Sequence, residues 1–87
     1  MREDMLFQAV KRQVDKFDAY GLLEGGAPKD EFDTESMMIA GQLRKGMTAL
    51  CIAEIFAKVM NEQFEEKFSA NEFISRAEQI EKFLNHT

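Results

Sequence analysis

Three stretches of this chain carry the signature of a helix start, and no other feature constrains the fold as strongly. Asp33, Thr48 and Ser69 are good N-caps, because their side-chain oxygens can accept hydrogen bonds from the free N–H groups of a first turn. Each cap lies between two apolar residues at the spacing of a hydrophobic staple: Phe32 with Met37, Met47 with Ile52, and Phe68 with Phe73. The residue types involved are unrelated to one another, so the recurrence predicts three helices that begin at these caps.

The segments around these caps have helical periodicity as well. Helix two is expected to end at Gly46, since glycine commonly follows a helix C-terminus. Helix three has a broad apolar face, and helix four opens with a capping box of Ser69 and Glu72. A first helix is predicted from about Glu3 to Phe17. Its apolar stripe is formed by Leu6, Val10, Val14 and Phe17.

The length of 87 residues fits a single helical domain, 1–87, and the composition agrees with helices. Strong helix formers supply more than half of the residues, whereas Val and Ile are scarce and Trp is absent. The links between helices two, three and four are short, so these helices should pack as sequential neighbours. We therefore expect an all-α fold, a compact four-helix domain with a long acidic loop between helices one and two.

The formal net charge of −5 is concentrated in the segment from Asp18 to Glu35. Six acids lie in this segment against a single base, Lys29, while the rest of the chain carries equal numbers of acids and bases. The segment also contains the only proline and three of the five glycines, which interrupt helices. Long connections in compact domains are commonly functional or folded on themselves.

Half of these acids have a structural role that the sequence can indicate. Asp33 would cap helix two, Glu35 would favour the positive end of the helix dipole, and Asp30 suits an Asx-type turn. The acids without such a role are Asp18, Glu24 and Glu31. Two interpretations stay open for the segment: a solvated, capped loop, or a loop that binds a partner.

The chain lacks the residues that most reaction types require. A nucleophile needs an activating base, and the only histidine, His86, is next to last in the chain. Cys51 has no base near it in sequence, and one Cys with one His cannot complete a structural zinc site. Phe32 stands where a calcium loop needs an oxygen ligand. We therefore expect no enzymatic activity, no metal and no cofactor.

Charge and hydropathy argue against other partners. Proteins bind nucleic acids and anionic membranes through clusters of Lys and Arg. The net charge of −5 therefore argues against both kinds of partner. The longest apolar run, Ala49 to Ala53, is much too short to span a membrane. The single cysteine and the polar first residues, which do not resemble a secretory signal, predict a soluble protein of the reducing cytoplasm.

Two stretches in and beside the acidic segment form one motif: they run from Phe17 to Leu23 and from Gly26 to Glu35, and the second begins Gly-Ala-Pro-Lys-Asp-Glu-Phe-Asp. This motif resembles the YugE-like family of small bacterial proteins of unknown function. Phe17, Ala19 and Phe32 replace the Trp, Pro and Tyr of the family pattern. The resemblance implies a compact all-helical bundle, bacterial and cytosolic, without an active site to carry over. Related motifs recur in short proteins suspected of being immunity factors.

The leading hypothesis is a non-enzymatic protein-protein interaction module that binds a basic protein surface through the loop 18–35. An immunity or antitoxin-like protein is one form of such a module. A protein of this kind must meet its partner quickly, and opposite charges speed association. Tyr20 would anchor the partner, because tyrosine is common at interfaces. The acids that would face Lys and Arg of the partner are Asp18, Glu24, Asp30 and Glu31.

The alternative is a self-associating homodimeric domain without a dedicated binding loop. Surplus Met and Phe side chains would then be buried between two copies of the chain. Met37 and Met38 can either fill the core or form an adaptable contact patch, because methionine is flexible and polarizable.

Overall fold

The computed structural model describes residues 3–85 of the chain, with side chains from residue 5 onward. Its four α-helices are α1 (Glu3–Phe17), α2 (Asp33–Ala40), α3 (Ala49–Phe64) and α4 (Ile74–Asn85). Two short 3-10 helices, η1 (Ala19–Gly21) and η2 (Ala70–Phe73), lie between α1 and α2 and before α4. No strand occurs within residues 3–85, so the prediction of an all-α fold with four helices is confirmed.

The helices surround one core. α3 packs against α2 and α4, and α1 packs against the same two helices. The predicted packing of helices two, three and four as sequential neighbours is therefore present. α1 completes the bundle on the side opposite α3.

Aromatic side chains fill the core where α1, α3 and η2 meet. The rings of Phe56 and Phe73 stack with their centroids 4.5 Å apart, and Phe17 meets Phe73 edge-on at 4.9 Å. Val10 and Val14 of the predicted α1 stripe are fully buried. Burial of each such side chain stabilises the fold by about 1.5–3 kcal/mol, so this cluster holds α1 and η2 to the shared core.

Two of the three predicted N-caps are confirmed. Thr48 is the N-cap of α3, and its Oγ1 accepts a hydrogen bond from the Cys51 N–H at 3.2 Å. Ser69 and Glu72 form the predicted capping box, in which the Ser69 N–H donates to Glu72 Oε2 at 2.8 Å. This box opens η2, which continues directly into α4, so the first turn is tighter than an α-helical turn.

α2 begins at Asp33, as predicted, but Asp33 is not its N-cap. Phe32 occupies the N-cap position, and Asp33 is the first helical residue. Phe32 is fully buried, whereas Met37 is 59% exposed and lies outside the core, so the predicted staple between them is wrong. Met38, in contrast, is partly buried against the core.

The predicted end of helix two is also wrong. α2 ends at Ala40, because the N–H groups of Gln42 and Leu43 bond to carbonyls three residues back and tighten the chain after the helix. This turn directs Leu43 into the core. Gly46 has a φ of +97° and forms the turn before α3, where its N–H donates to Asn85 Oδ1 at 2.8 Å.

Candidate functional site

The connection between α1 and α2, residues 18–32, is folded around the side chain of Asp18. Asp18 takes the left-handed conformation with a φ of 48°, which Asp tolerates better than most residues. Its carboxylate oxygens accept hydrogen bonds from the backbone N–H groups of Leu23 at 2.7 Å and Glu24 at 3.1 Å. The prediction that Asp18 has no structural role is therefore wrong, because its carboxylate organises the turn that follows η1.

Tyr20 is 61% exposed, yet its side chain is held against the end of α3. The ring meets Phe64 edge-on with the centroids 5.6 Å apart, and the hydroxyl donates to the carboxylate of Glu66. That hydrogen bond, together with desolvation and the negative charge of Glu66, raises the pKa of Tyr20 above the ordinary tyrosine value. Tyr20 thus presents an exposed aromatic ring in a fixed orientation.

Lys11 of α1 anchors the second half of the connection. Its Nζ lies 2.6 Å from Asp33 Oδ1, 3.1 Å from Asp15 Oδ2 and 2.7 Å from the carbonyl oxygen of Lys29. Desolvation lowers the pKa of Lys11, but the hydrogen bonds and charges of Asp33 and Asp15 outweigh it, so the net pKa is raised. Asp33, predicted as a cap, therefore acts as an ion-pair partner that joins the start of α2 to α1.

Three acids of the connection face solvent, and we refer to Glu24, Asp30 and Glu31 as the exposed acids. Their carboxylates have no hydrogen bond or ion pair within the described part of the chain. The turn at Asp30 is closed by the backbone, since the Asp33 N–H donates to the Asp30 carbonyl oxygen at 3.1 Å. The predicted Asx-type turn, which needs the Asp30 side chain, is therefore wrong.

Glu35, the last acid of the predicted segment, is buried in the first turn of α2. Only 8% of it is exposed, and its Oε1 has no hydrogen-bond donor within the described residues. A buried carboxylate oxygen without a donor costs free energy, and no described side chain or backbone group offsets that cost at Glu35 Oε1. Sequence reasoning missed this burial. The available signal was the spacing of Glu35, which lies three residues after Phe32 and four before Ile39 and so shares their helix face.

A groove runs between the first half of α1 and the C-terminal end of α2, and we refer to it as the α1–α2 groove. Its volume is about 520 Å³. It is lined mainly by Leu6, Phe7, Met37, Ala40, Leu43 and Arg44. Arg44 Nη1 donates to the carbonyl oxygens of Gly41 at 3.3 Å and Leu43 at 2.8 Å, so the guanidinium is held at the rim. The exposure of Met37 places it on this surface, as the contact-patch interpretation requires.

The described residues hold few groups suited to other chemistry. Within residues 3–85, no group of three or more His, Cys, Asp or Glu side chains could hold a metal ion. Cys51 is a free, exposed thiol in the first turn of α3. None of the described helices has the length and apolar character needed to cross a membrane. His86 lies outside the described residues.

Comparisons with protein-family models, with curated proteins and with solved structures found no match to this chain. The resemblance to the YugE-like family therefore stays a prediction from the motifs around the connection. The candidate sites are two surfaces of the fold: the exposed acids with Tyr20, and the α1–α2 groove.

Proposed function

We propose that this protein is a non-enzymatic interaction module that binds a basic protein surface through the connection. The observation that carries the proposal is a contrast within one segment: Asp18 and Asp33 are bonded internally, whereas the exposed acids are not. Acids without a cap or ion pair add repulsion to a chain of net charge −5 and do not stabilise its fold. A partner of opposite charge explains why several of them occur together.

The internal contacts that hold the connection in place support the same function. Asp18 closes its first half, Lys11 anchors its second half, and Tyr20 is bonded to Glu66 at the end of α3. A surface that is already ordered loses less conformational entropy when it binds, which favours affinity. The exposed acids would meet Lys and Arg of the partner, with Tyr20 as the anchor, while Asp18 contributes through the shape of the turn.

An immunity or antitoxin-like protein of the bacterial cytoplasm is the biological form that we propose. Such a protein must meet its partner quickly, and opposite charges raise the rate of association. The motif that resembles the YugE-like family lies in the same connection, which agrees with this form but assigns no partner.

Affinity capture from a native lysate tests the proposal. The full chain serves as bait beside a variant that combines Glu24→Lys, Asp30→Lys and Glu31→Lys. The matched control combines three changes of the same charge at exposed positions of α3 and α4: Glu54→Lys, Glu62→Lys and Glu78→Lys.

We expect a basic protein that the wild type and the control retain and that the variant of the connection loses. Because the interaction is electrostatic and lies at the surface, retention should also fall as the salt concentration rises. Capture of the same proteins by all three baits would contradict the proposal.

Self-association is the second candidate function, and one observation favours it. Met37 and Leu50 are large apolar side chains that are mostly exposed, and such side chains are commonly buried at oligomer interfaces. Sedimentation velocity at several concentrations separates the two functions. A reversible dimer that Met37→Glu weakens would support self-association, and a strictly monomeric chain would remove it.

A further inference from the structure

The second half of the connection and the α1–α2 groove adjoin each other on α1 and α2. On α1, Phe7 precedes Lys11 by about one helical turn, and on α2, Met37 follows Asp33 by about one turn, so each pair shares a helix face. Lys11 and Asp33 are joined across the helices by the ion pair of 2.6 Å. α1 and α2 therefore run in opposite directions along this face, and the groove begins one turn beyond the ion pair.

The two ends of this face carry opposite charge. Asp30 and Glu31 lie within three residues of Asp33, before the first turn of α2, and both are exposed. At the far end of the groove, Arg44 is the charged residue of the lining. Its two hydrogen bonds go to carbonyl oxygens, and no ion pair with a described side chain neutralises it. A ligand that lies along the face thus meets acids first, then apolar side chains, then a cation.

The groove between these ends has the character of a helix-docking surface. Amphipathic helices bind in apolar grooves through side chains at positions i, i+3, i+4 and i+7. Leu6, Phe7 and Met37 form apolar walls, and the flexible methionine can adapt to the side chain it meets. The groove is partly open to solvent, so a helix can lie in it with its polar face in water.

We propose that the α1–α2 groove docks an amphipathic helix of the basic partner, with Lys or Arg of that helix at Asp30 and Glu31, its apolar stripe in the groove, and an acidic residue at Arg44. This inference rests on the proposed function and specifies which part of the partner is recognised. The buried apolar stripe supplies most of the affinity, and the charges at the two ends set the orientation of the helix.

Two synthetic peptides of identical composition serve as probes. Both have blocked termini and carry Leu at positions i, i+3, i+4 and i+7. In the segregated peptide, Lys residues are grouped at one end and Glu residues at the other; in the mixed peptide they alternate. Calorimetry measures binding to the full chain, and NMR shifts locate the contacts. We expect the segregated peptide to bind about tenfold more tightly, a difference of about 1.4 kcal/mol, with shifts at Leu6, Phe7 and Met37. Equal affinities would overturn the proposal.

A matched pair of variants tests the groove itself. Met37→Glu and Leu50→Glu each place a carboxylate at an exposed apolar position, since these side chains are 59% and 53% exposed. Met37→Glu should weaken binding of the segregated peptide about tenfold or more, because a carboxylate must then lose water against the apolar stripe. Leu50→Glu, on α3, should leave the affinity unchanged. Equal effects of the two variants, with the fold retained by circular dichroism, would overturn the proposal.

Capture of the partner from the lysate by different variants distinguishes failure of this inference from failure of the proposed function. One bait combines Asp30→Lys with Glu31→Lys, and a second carries Met37→Glu. If the first bait loses the partner and the second retains it, helix docking is overturned and the interaction module is supported. A partner retained by both variants contradicts both. Self-association through Met37, without binding of the segregated peptide, identifies a second copy of the chain as the occupant and overturns the inference.

Discussion

The side chain of Asn61 holds the backbone of Phe68 through two hydrogen bonds. Asn61 Oδ1 accepts from the Phe68 N–H at 2.7 Å, and Asn61 Nδ2 donates to the Phe68 carbonyl oxygen at 3.0 Å. Asn61 lies in the last turn of α3, which ends before Glu65 in the left-handed conformation. Because the ring of Phe68 packs edge-on against Phe17 and Phe73, Asn61 positions the chain that leads from α3 into the aromatic core.

Asn61→Ala is expected to lower the free energy of unfolding by about 2 kcal/mol, since it removes two hydrogen bonds worth about 1 kcal/mol each. Urea unfolding measures the change. Asn71→Ala is the control, because Asn71 is exposed and its side chain makes no hydrogen bond within the described chain. Equal losses for the two variants would show that packing alone holds Phe68.

Tyr20 offers a direct test of the contact between the connection and the end of α3. It is the only tyrosine and the chain has no Trp, so tyrosinate absorbance in the near ultraviolet titrates this side chain alone. We expect a pKa above the ordinary value of about 10, because the hydrogen bond to Glu66 favours the protonated hydroxyl. Glu66→Gln should lower the pKa of Tyr20. Glu65→Gln, which removes the same charge one residue earlier, should lower it less.

The raised pKa of Tyr20 also sets a pH dependence of stability. The folded protein holds this proton more tightly than the unfolded chain does, so the contribution is complete below about pH 10 and is lost as the pH rises through the folded pKa. The free energy of unfolding should therefore fall more steeply above about pH 10 in the wild type than in Glu66→Gln. Parallel curves would show that the hydrogen bond is absent in solution.

Glu35→Met is expected to stabilise the protein. The buried carboxylate oxygen without a donor costs about 1–3 kcal/mol, whereas a carboxylate in a first helical turn gains about 0.3–1 kcal/mol from the helix dipole, so the cost is larger. We expect the free energy of unfolding to rise by about 1 kcal/mol. Glu31→Met, at an exposed position, should change it by less than about 0.5 kcal/mol. Loss of stability in Glu35→Met would indicate that Glu35 has a donor in solution.

The helix starts show which parts of this fold could be predicted. The caps Thr48 and Ser69 act on backbone groups within three residues, so residue type and spacing are sufficient to identify them. Asp33 has the same local pattern, but Lys11 is 22 residues away and binds it only because α1 and α2 pack together. The burial of Leu43 after a shortened α2 likewise depends on tertiary packing.

The candidate site also combines features that the local sequence predicts with features that depend on tertiary structure. Charge concentration was sufficient to indicate the segment that contains the exposed acids. Asp18 could not be separated from them, because the N–H groups of Leu23 and Glu24 reach its carboxylate only when Asp18 takes a φ of 48°. The α1–α2 groove forms between two helices and was not visible in the periodicity of either one.

Asp18 allows the structural and the binding role of an acid to be separated. Asp18→Ala is expected to cost about 2–3 kcal/mol, from two lost hydrogen bonds of about 1 kcal/mol each and the strain of a left-handed Ala. Asp18→Asn keeps a side-chain oxygen and tolerates the left-handed conformation, so about 1 kcal/mol should be lost. Glu24→Ala, at an exposed residue without a side-chain partner, should stay within about 0.5 kcal/mol in the same urea unfolding experiment.

The variant Asp18→Asn then decides how Asp18 contributes to partner binding. It removes one negative charge and retains most of the turn, and Asp30→Asn removes one charge at a residue whose side chain holds no turn. If Asp18 acts only through the shape of the connection, Asp18→Asn should weaken partner binding less than Asp30→Asn does, with affinities measured by calorimetry on the captured partner. An equal loss would mean that the Asp18 carboxylate contacts the partner directly, because its internal donors at Leu23 and Glu24 do not remove its negative charge.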